Sequence, residues 1–242
     1  MRVAVVSDIH ANLAALEAVL AAIDDDAPDE LWCLGDLVGY GPRPSECTDA
    51  VAARARVCLA GNHDLAVLGK LDLLDFSGDA AVAAEWTRGV LSPHARAYLE
   101  RLEPIGAAEG VSLFHASARD PVWEYVLSDD AAEATLELVH TPLVLVGHSH
   151  AALQVSLRDG VLEGGLAPAG TELALAPGRF LLNPGSVGQP RDGDPRAAYL
   201  LLDLEERTAS FRRVEYDIAR TQRETLEAGL PEMLALRLAA GQ

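Results

Sequence analysis

Lysine is almost missing from this 242-residue chain: Lys70 stands alone among 19 basic side chains, the rest being arginine. A general compositional bias accounts for this and for the abundance of alanine and leucine. No Lys/Arg run reaches the length of a nucleic-acid-binding patch. The one adjacent basic pair, Arg212-Arg213, falls in an expected strand, where a solvated face is the simpler reading. Against 37 acidic residues the formal net charge is -18, so the chain repels nucleic-acid backbone and anionic lipid unless bound cations invert the field locally. Cysteine is scarce as well. Cys33, Cys47 and Cys58 are odd in number and lack CxxC spacing, which argues against a disulfide framework and a thiolate metal site and fits a reducing compartment. No stretch approaches the ~20 apolar residues of a membrane span. The N-terminus carries only a short strand-like stretch from Val3 to Ser7, without the apolar core or cleavage site of a signal peptide. Repeats and low-complexity blocks are also missing. The expectation is an ordinary soluble, cytoplasmic protein with neither a nucleic-acid nor a membrane partner; composition carries no signal for an oligomeric state.

What is present alternates between strand and helix. Val3–Val6 reads as a strand buried on both faces. Asn12 suits an N-cap for a helix carrying Leu13, Leu16, Val19, Leu20 and Ile23 at helical spacing. Asp24 to Pro28 breaks it, Leu31–Leu34 is the next strand, Pro44 to Arg54 a helix and Val57–Leu59 a short strand. That alternation predicts helices packed on a largely parallel sheet. Residues 65–102 read as a helical insertion that could act as a lid, with Asp79–Leu91 and Ser92–Leu102 its clearest helices and Ser92-Pro93 a good N-cap pair. Val111–Phe114 and Leu143–Val146 are strands flanking a helix near Asp130–Val139. After Ala151 come Gly- and Pro-punctuated strands, Leu153–Leu157, Phe180–Leu182, Tyr199–Leu204 and Ser210–Val214, which suit an antiparallel second sheet. The tail from Asp217 reads as helical, interrupted at Gly229-Leu230-Pro231. With no linker in sight, residues 1–242 are expected to form one domain of two packed sheets with outer helices.

Five polar segments are spaced along this scaffold: Asp8-x-His10, Gly35-Asp36, Gly61-Asn62-His63-Asp64, His115 and Gly147-His148-Ser149-His150. Four of the five close a short apolar run. Asp8 and His10 at the end of the first strand would share a face as i and i+2, and His148 and His150 would repeat this with Ser149 pointing away. Crevices at the carboxyl ends of strands are where open α/β sheets bind ligands. Singly, each segment has a blander reading: a cap or turn for Asp8-x-His10, a partly buried histidine for His115, a polar turn for His148-Ser149-His150, an αL turn for Gly61 to Asp64. Their joint order at matching strand ends is the signal.

The order resembles the calcineurin-like metallophosphoesterase superfamily, most closely its small prokaryotic phosphodiesterase-type members, from Asp8 to the Asn183-Pro184-Gly185-Ser186 segment. The resemblance implies a four-layer α/β/β/α sandwich of two packed mixed sheets with outer helices, and a dinuclear metal centre. By motif, Asp8, His10 and His150 would hold one ion, Asn62, His115 and His148 the other, and Asp36 would bridge them. His63 matches the family's non-ligand histidine near the leaving group, and Asp64 its orienting carboxylate. Ala11, Ala116 and Ser149 depart from the commonest pattern without removing a ligand. Two divalent ions about 3.5–4 Å apart can share a hydroxide and clamp the attacking and leaving oxygens of an in-line displacement. Mixed imidazole, carboxylate and amide donors suit Mn, Fe, Co, Ni or Zn, and their charge would make the cleft locally positive in an acidic protein.

The expected activity is hydrolysis of small phosphodiesters or nucleotide phosphates. A phosphomonoesterase or a dinucleoside polyphosphate hydrolase is the close alternative, with a protein phosphatase behind them. A non-catalytic scaffold would be expected to have lost some of these residues, and a nuclease would be expected to carry a basic groove. Asn12 and Arg191 are candidate substrate contacts, against an N-cap role for the first and a surface position for the second. Tyr40 and Arg43 sit in loops that could rim the cleft, with the surface as the safer reading. Trp123 and Tyr125 could stack on an aromatic group, with local core as the commoner role. His94 and His140 are given no function.

Overall fold

The structure, a computed structural model, describes residues 1–242. Its strands and helices follow in the order β1 (Arg2–Val6), α1 (Leu13–Asp26), β2 (Glu30–Cys33), α2 (Pro44–Ala52), β3 (Ala55–Cys58), α3 (Asn62–Val67), α4 (Gly78–Val90), α5 (Pro93–Leu99), β4 (Ile105–Ala108), β5 (Val111–Phe114), α6 (Asp129–Leu138), β6 (Leu143–Leu145), β7 (Ala152–Arg158), β8 (Val161–Leu166), β9 (Glu172–Ala174), β10 (Arg179–Pro184), β11 (Ala197–Asp203), β12 (Thr208–Val214), α7 (Ile218–Glu227) and α8 (Glu232–Leu236). Short 3-10 turns lie at Leu73–Asp75 and Arg237–Ala239.

Side-chain alternation along the strands sets the layers. Val3 and Val5 of β1 point between two sheets, where they meet Trp32, Leu113, Leu145, Phe180, Leu200 and Phe211. Ala4 and Val6, on the other face, pack with Leu16, Val19 and Ile23 of α1, Val51 of α2 and Leu99 of α5. In the second sheet Leu143 and Leu145 of β6 face inward, while Val144 and Val146 meet Leu136 of α6 outside. Successive strand side chains point to opposite faces, so each central strand serves two cores. The result is four layers in the order helix, sheet, sheet, helix. Each fully buried Leu-sized side chain contributes about 1.5–3 kcal/mol.

Both sheets have six strands, in the orders β3-β2-β1-β11-β12-β9 and β4-β5-β6-β10-β7-β8. The β1–β2, β2–β3, β5–β6 and β6–β10 pairs are parallel, and β1–β11 and β7–β10 are antiparallel. Here the expectation from residue patterning is corrected. The strands after residue 151 do not make a second sheet of their own. β9, β11 and β12 extend the β1 sheet, while β7, β8 and β10 extend the β6 sheet. Period-two patterning says which strands have two buried faces and is silent on which sheet edge each will join.

Residues 65–102 run through α3, the first 3-10 turn, α4 and α5. The Arg212-Arg213 reading is half corrected. Arg212 is exposed, but the Arg213 side chain is 3% exposed and paired with Asp192, and it also donates to the Asp194 and Arg196 carbonyls. No helix is long and apolar enough to cross a membrane.

Candidate metal centre

β1, β2, β5 and β6 all run toward one edge, and the segments beyond their ends hold the polar motifs. The backbone locks these segments together. Asp8 N–H donates to Gly35 O at 3.0 Å, and the Ile9 and His10 N–H groups both donate to Asp36 O at 2.9 Å. Gly147 N–H donates to His115 O at 2.8 Å.

The convergence of Asp8 with His10, and of His148 with His150, is not the strand geometry expected from their spacing. β1 ends at Val6 and β6 at Leu145, and the pairs lie beyond them. Both members of each pair are left-handed, with φ of 54° and 50° for the first and 62° and 58° for the second. Asp36, at φ 55°, is left-handed too. Such backbone costs a non-glycine residue about 1–2 kcal/mol and persists only where its surroundings over-determine it. Ser149 does point away from the site, its Oγ accepting from Asn183 Nδ2 at 3.0 Å, while Asn183 also donates to Gly147 O at 2.6 Å. Two glycines allow the close approach. A Cβ on Gly61 would sit 1.9 Å from Asp36 Oδ1, and one on Gly147 would sit 2.1 Å from Ser7 Oγ.

Asp36 is the centre of the arrangement. Its Oδ1 accepts from His63 N–H at 2.9 Å. Its Oδ2 is buried without a hydrogen-bond partner and lies 3.5 Å from both His10 Nε2 and His115 Nε2. Asp8, His10, Asp36 and His150 form one group of converging donor atoms, and Asp36, His115 and His148 form a second that shares Asp36. Asn62 Oδ1 joins the second group, 3.3 Å from His115 Nε2. All seven side chains are buried.

Each imidazole is held by its other nitrogen. Nδ1 of His10, His115 and His150 faces a backbone carbonyl, of Val38 at 3.0 Å, Leu34 at 2.8 Å and Gln189 at 2.7 Å. His148 is held through Nε2, 3.2 Å from Trp123 O. A nitrogen facing a carbonyl carries the proton, so the opposite nitrogen turns a lone pair toward the centre, the usual outer support of a ligating histidine. His10 Nε2 and His150 Nε2 are 3.0 Å apart, which sets two lone pairs face to face.

Burial pushes the pKa of His10, His115 and His150 well below the usual imidazole range, and that of His148 down to about 4. A shared proton is therefore disfavoured between His10 and His150, and a cation is the species that reconciles them. Burial also raises the carboxyls, Asp8 to about 7 and Asp36 well above its ordinary value, the latter helped by the Asp64 and Asp8 charges. Neutral imidazoles, a raised carboxylate pair and an orphaned Asp36 oxygen are a donor set that fits divalent metal.

His63 borders this centre without belonging to either donor group. Its Nδ1 is buried and unpartnered, and burial lowers its pKa to about 3. Asp64, expected as the carboxylate that orients His63, is bonded to backbone. Its Oδ1 accepts from Leu37 and Val38 N–H at 2.9 and 3.1 Å, and its Oδ2 from Gly61 N–H at 2.9 Å. The carboxylate thus staples the segment after β2 to the start of α3, and positions His63 through backbone instead of through its ring.

A cleft of about 300 Å³ opens over Asp36, Asn62, His63, His148 and His150. Its walls are Tyr40, Trp123, Tyr125, Arg191, Arg237 and the segment Asp75–Ser77 with Ala80. Tyr125 stacks on His148 with centroids 4.1 Å apart, and Phe76 meets both His63 and Trp123 edge-on at 5.1 and 5.0 Å. Trp123 and Tyr125 are thus cleft residues instead of local core, and Tyr40 packs 4.6 Å from His10 and 4.4 Å from His63. Arg191 lies in the wall and Asn12 does not. Asn12 Oδ1 accepts from Ala15 N–H and Thr221 Oγ1, and its Nδ2 donates to Gly188 O and Tyr216 OH. Arg43 pairs with Glu46 and Glu224, and His94 with Asp49. Phe76 and Arg237 escaped the sequence reading. An aromatic residue stranded in the polar stretch Asp72–Asp79 was a usable signal for the first, and nothing local marks the second.

Comparison with known proteins agrees with this geometry. The chain is 37% identical to the uncharacterized protein MJ0912 of Methanocaldococcus jannaschii over 246 residues, 99% of this chain and 98% of that protein. It is 42% identical to a metallophosphoesterase from Sphaerobacter thermophilus of known crystal structure, with a TM-score of 0.91 and coverage of 100% and 99% of the two chains. A shorter similarity, 38% over 71 residues, links 28% of this chain to 26% of the symmetrical bis(5'-nucleosyl)-tetraphosphatase of Ectopseudomonas mendocina. The calcineurin-like phosphoesterase superfamily domain matches residues 1–207, and with a whole-length relative and a near-superposable fold beside that match, the chain belongs to this superfamily.

Proposed function

We propose that the protein is a dinuclear metal-dependent phosphoesterase, acting on small phosphodiesters or nucleotide phosphates. The observation that carries the reading is the Asp36 carboxylate, with one oxygen buried and free between two imidazole nitrogens at 3.5 Å. Asp8, His10 and His150 would hold one divalent ion and Asn62, His115 and His148 the other, with Asp36 between them. Mn, Fe, Co, Ni and Zn all suit such donors. When bound, the ions supply Lewis acidity and a nucleophile drawn from water at neutral pH.

The chain's own residues do the rest. Buried carbonyls hold the imidazole tautomers so that no ligand reorients on binding. With its pKa near 3, His63 is a neutral hydrogen-bond donor to the leaving oxygen, and the negative charge of an arriving phosphoester raises its capacity to carry a proton. Asp64 fixes the backbone that carries His63. Tyr40, Phe76, Trp123 and Tyr125 wall the cleft, exclude water and offer flat apolar surface to the ester's organic part.

A second reading, hydrolysis of dinucleoside polyphosphates, is favoured by the 71-residue similarity to the symmetrical tetraphosphatase and by the aromatic walls. The test uses metal-stripped protein with bis-p-nitrophenyl phosphate and p-nitrophenyl phosphate, adding Mn²⁺, Ni²⁺, Co²⁺, Zn²⁺ and Mg²⁺ back separately. Metal-restored turnover of the diester, lost in His63→Ala, is expected. A preference for the monoester would move the substrate class. No turnover with any metal would leave a non-catalytic scaffold.

A further inference from the structure

Two guanidinium groups share one acceptor at the cleft wall, and neither is ion-paired to a carboxylate. Arg191 follows the β10 strand in a loop, and Arg237 comes from the C-terminal 3-10 turn. Both donate to one neutral oxygen, Gln189 Oε1, at 2.9 and 3.4 Å. Seven arginines pair with carboxylates, Arg43, Arg54, Arg88, Arg119, Arg196, Arg213 and Arg220, and the rest do not; what sets Arg191 and Arg237 apart is that they share one acceptor in the wall of the cleft. Each also has a buried Nε–H without a hydrogen-bond partner. Like charges held together over a single carbonyl oxygen repel, and the arrangement is relieved by an anion.

The donors point to the kind of anion. Two guanidiniums offer about ten N–H groups, and the recorded contacts are to Gln189 Oε1 and the Tyr40 hydroxyl. The remaining donors suit a multi-oxygen group such as phosphate, which arginine forks bind in bidentate fashion. Neither guanidinium hydrogen-bonds to any of the seven candidate metal-donor side chains; their partners are Tyr40 and Gln189. The Arg191 terminal nitrogen is 3.2 Å from the Tyr40 hydroxyl, whose ring packs on His10 and His63. Arg237 lines the same cleft, with its one hydrogen bond there going to Gln189. Gln189 is itself fixed, its N–H bonded to Ser186 Oγ at 2.8 Å and its carbonyl to His150 Nδ1 at 2.7 Å. Any anion held by the pair is thereby tied in position to His150.

We propose that Arg191 and Arg237 form an anion subsite for a second phosphoryl group of the substrate, one that is not hydrolysed. Preferred substrates then carry two phosphoryl groups, with the intervening organic part against Phe76 and Trp123. The substrate preference rests on the phosphoesterase reading; the anion subsite itself does not.

The test compares two chromogenic diesters with the same scissile bond and leaving group on the Mn²⁺-loaded full chain. One is thymidine 5'-(p-nitrophenyl phosphate) and the other its 3'-phosphorylated form. The bisphosphate is expected to have the higher kcat/KM by about tenfold or more, through KM. Arg237→Gln should bring that ratio to within about twofold of unity, and Arg237→Lys, which keeps charge without the fork, should fall between. A ratio near unity in the unmodified protein, or one unchanged in both variants, overturns the proposal. Calorimetric binding of inorganic pyrophosphate to the chelator-treated full chain decides the subsite without turnover. Binding weakened about tenfold or more by Arg237→Gln supports it, whereas no binding, or equal binding by the variant, overturns it. If neither ester is hydrolysed with any metal, the phosphoesterase reading fails while pyrophosphate still settles the subsite.

Discussion

Metal binding to this protein should release protons from carboxyls, not from histidines, and the pH window tells the two apart. In the fold without cations, burial raises Asp8 from 3.8 to about 7 and raises Asp36 strongly as well, while His10, His115 and His150 are held neutral. At pH 7 Asp8 is then about half protonated, and the Asp36 carboxyl is shifted in the same direction. Two ions that require both carboxylates should displace about half a proton from Asp8 at pH 7, with whatever the raised Asp36 carboxyl holds in addition. The linkage has a definite sign. A raised carboxyl pKa contributes stability that is fully present below pH 3.8 and is lost as pH rises through about 7. At about 1.36 kcal/mol per unit, ionising Asp8 without a cation costs roughly 4 kcal/mol, and the bound ions offset this. Apparent Mn²⁺ affinity should therefore fall about tenfold per pH unit for each proton released as pH drops from 8 to 6. Calorimetric titration at pH 7 in buffers of different ionisation enthalpy counts those protons directly. If the four histidines were the proton carriers, with ordinary pKa values near 6.5, each would be about a quarter protonated at pH 7 and release would climb toward about four protons below about pH 5.5, twice what two carboxyls can supply. No proton release at pH 7, with affinity flat from pH 7 to 8, would refute the reasoning.

Three substitutions probe the residues around the candidate metal centre. Asp64→Ala leaves three buried N–H groups without an acceptor, so urea unfolding should show a loss of about 3 kcal/mol or more. Mn²⁺ affinity should fall with it, because the Val38 carbonyl on the stapled segment holds His10; a loss of kcat at unchanged stability would restore a ring-orienting role. His63→Ala should lower kcat by about 10²–10⁴-fold while Mn²⁺ still binds, and loss of metal binding would move His63 into the ligand set. Gly61→Ala drives a methyl into Asp36 Oδ1 and should weaken Mn²⁺ binding by about 10-fold or more. Gly89→Ala, with open space around it in α4, serves as the control and should leave affinity unchanged.

The seven candidate donors could be picked out in the sequence because four of their five segments close a short apolar run, and such runs end at a common sheet edge. The reason for their convergence could not. Asp8 with His10 and His148 with His150 suit the i, i+2 rule of a strand, yet they meet through left-handed turns whose φ values no spacing announces. Asp64 shows the same limit. Its place beside His63 is plain in the sequence, but its three backbone partners come from Gly61 and from Leu37 and Val38, more than twenty residues away. Sheet assignment failed for a related reason: β11 pairs with β1 across almost the whole chain, and nothing in the apolar pattern of Tyr199–Leu204 prefers β1 to β6. The cleft walls were least legible. Phe76, Trp123 and Arg237 come from short turns and loops far apart in the chain, and no local pattern announces that they face one cleft.

The glycine contacts at Gly61 and Gly147 divide the cleft into a part that resists substitution and a part that tolerates it. Behind the donors there is no room for even one added carbon, so the floor cannot be retuned by small steps without moving Asp36 or Ser7. The rim is built differently: Phe76, Trp123, Tyr125 and Arg237 hang from loops and the C-terminal turn. A library confined to those four positions would explore substrate choice over an invariant hydrolytic floor. Variants drawn from it should differ in which ester they accept while sharing one metal requirement.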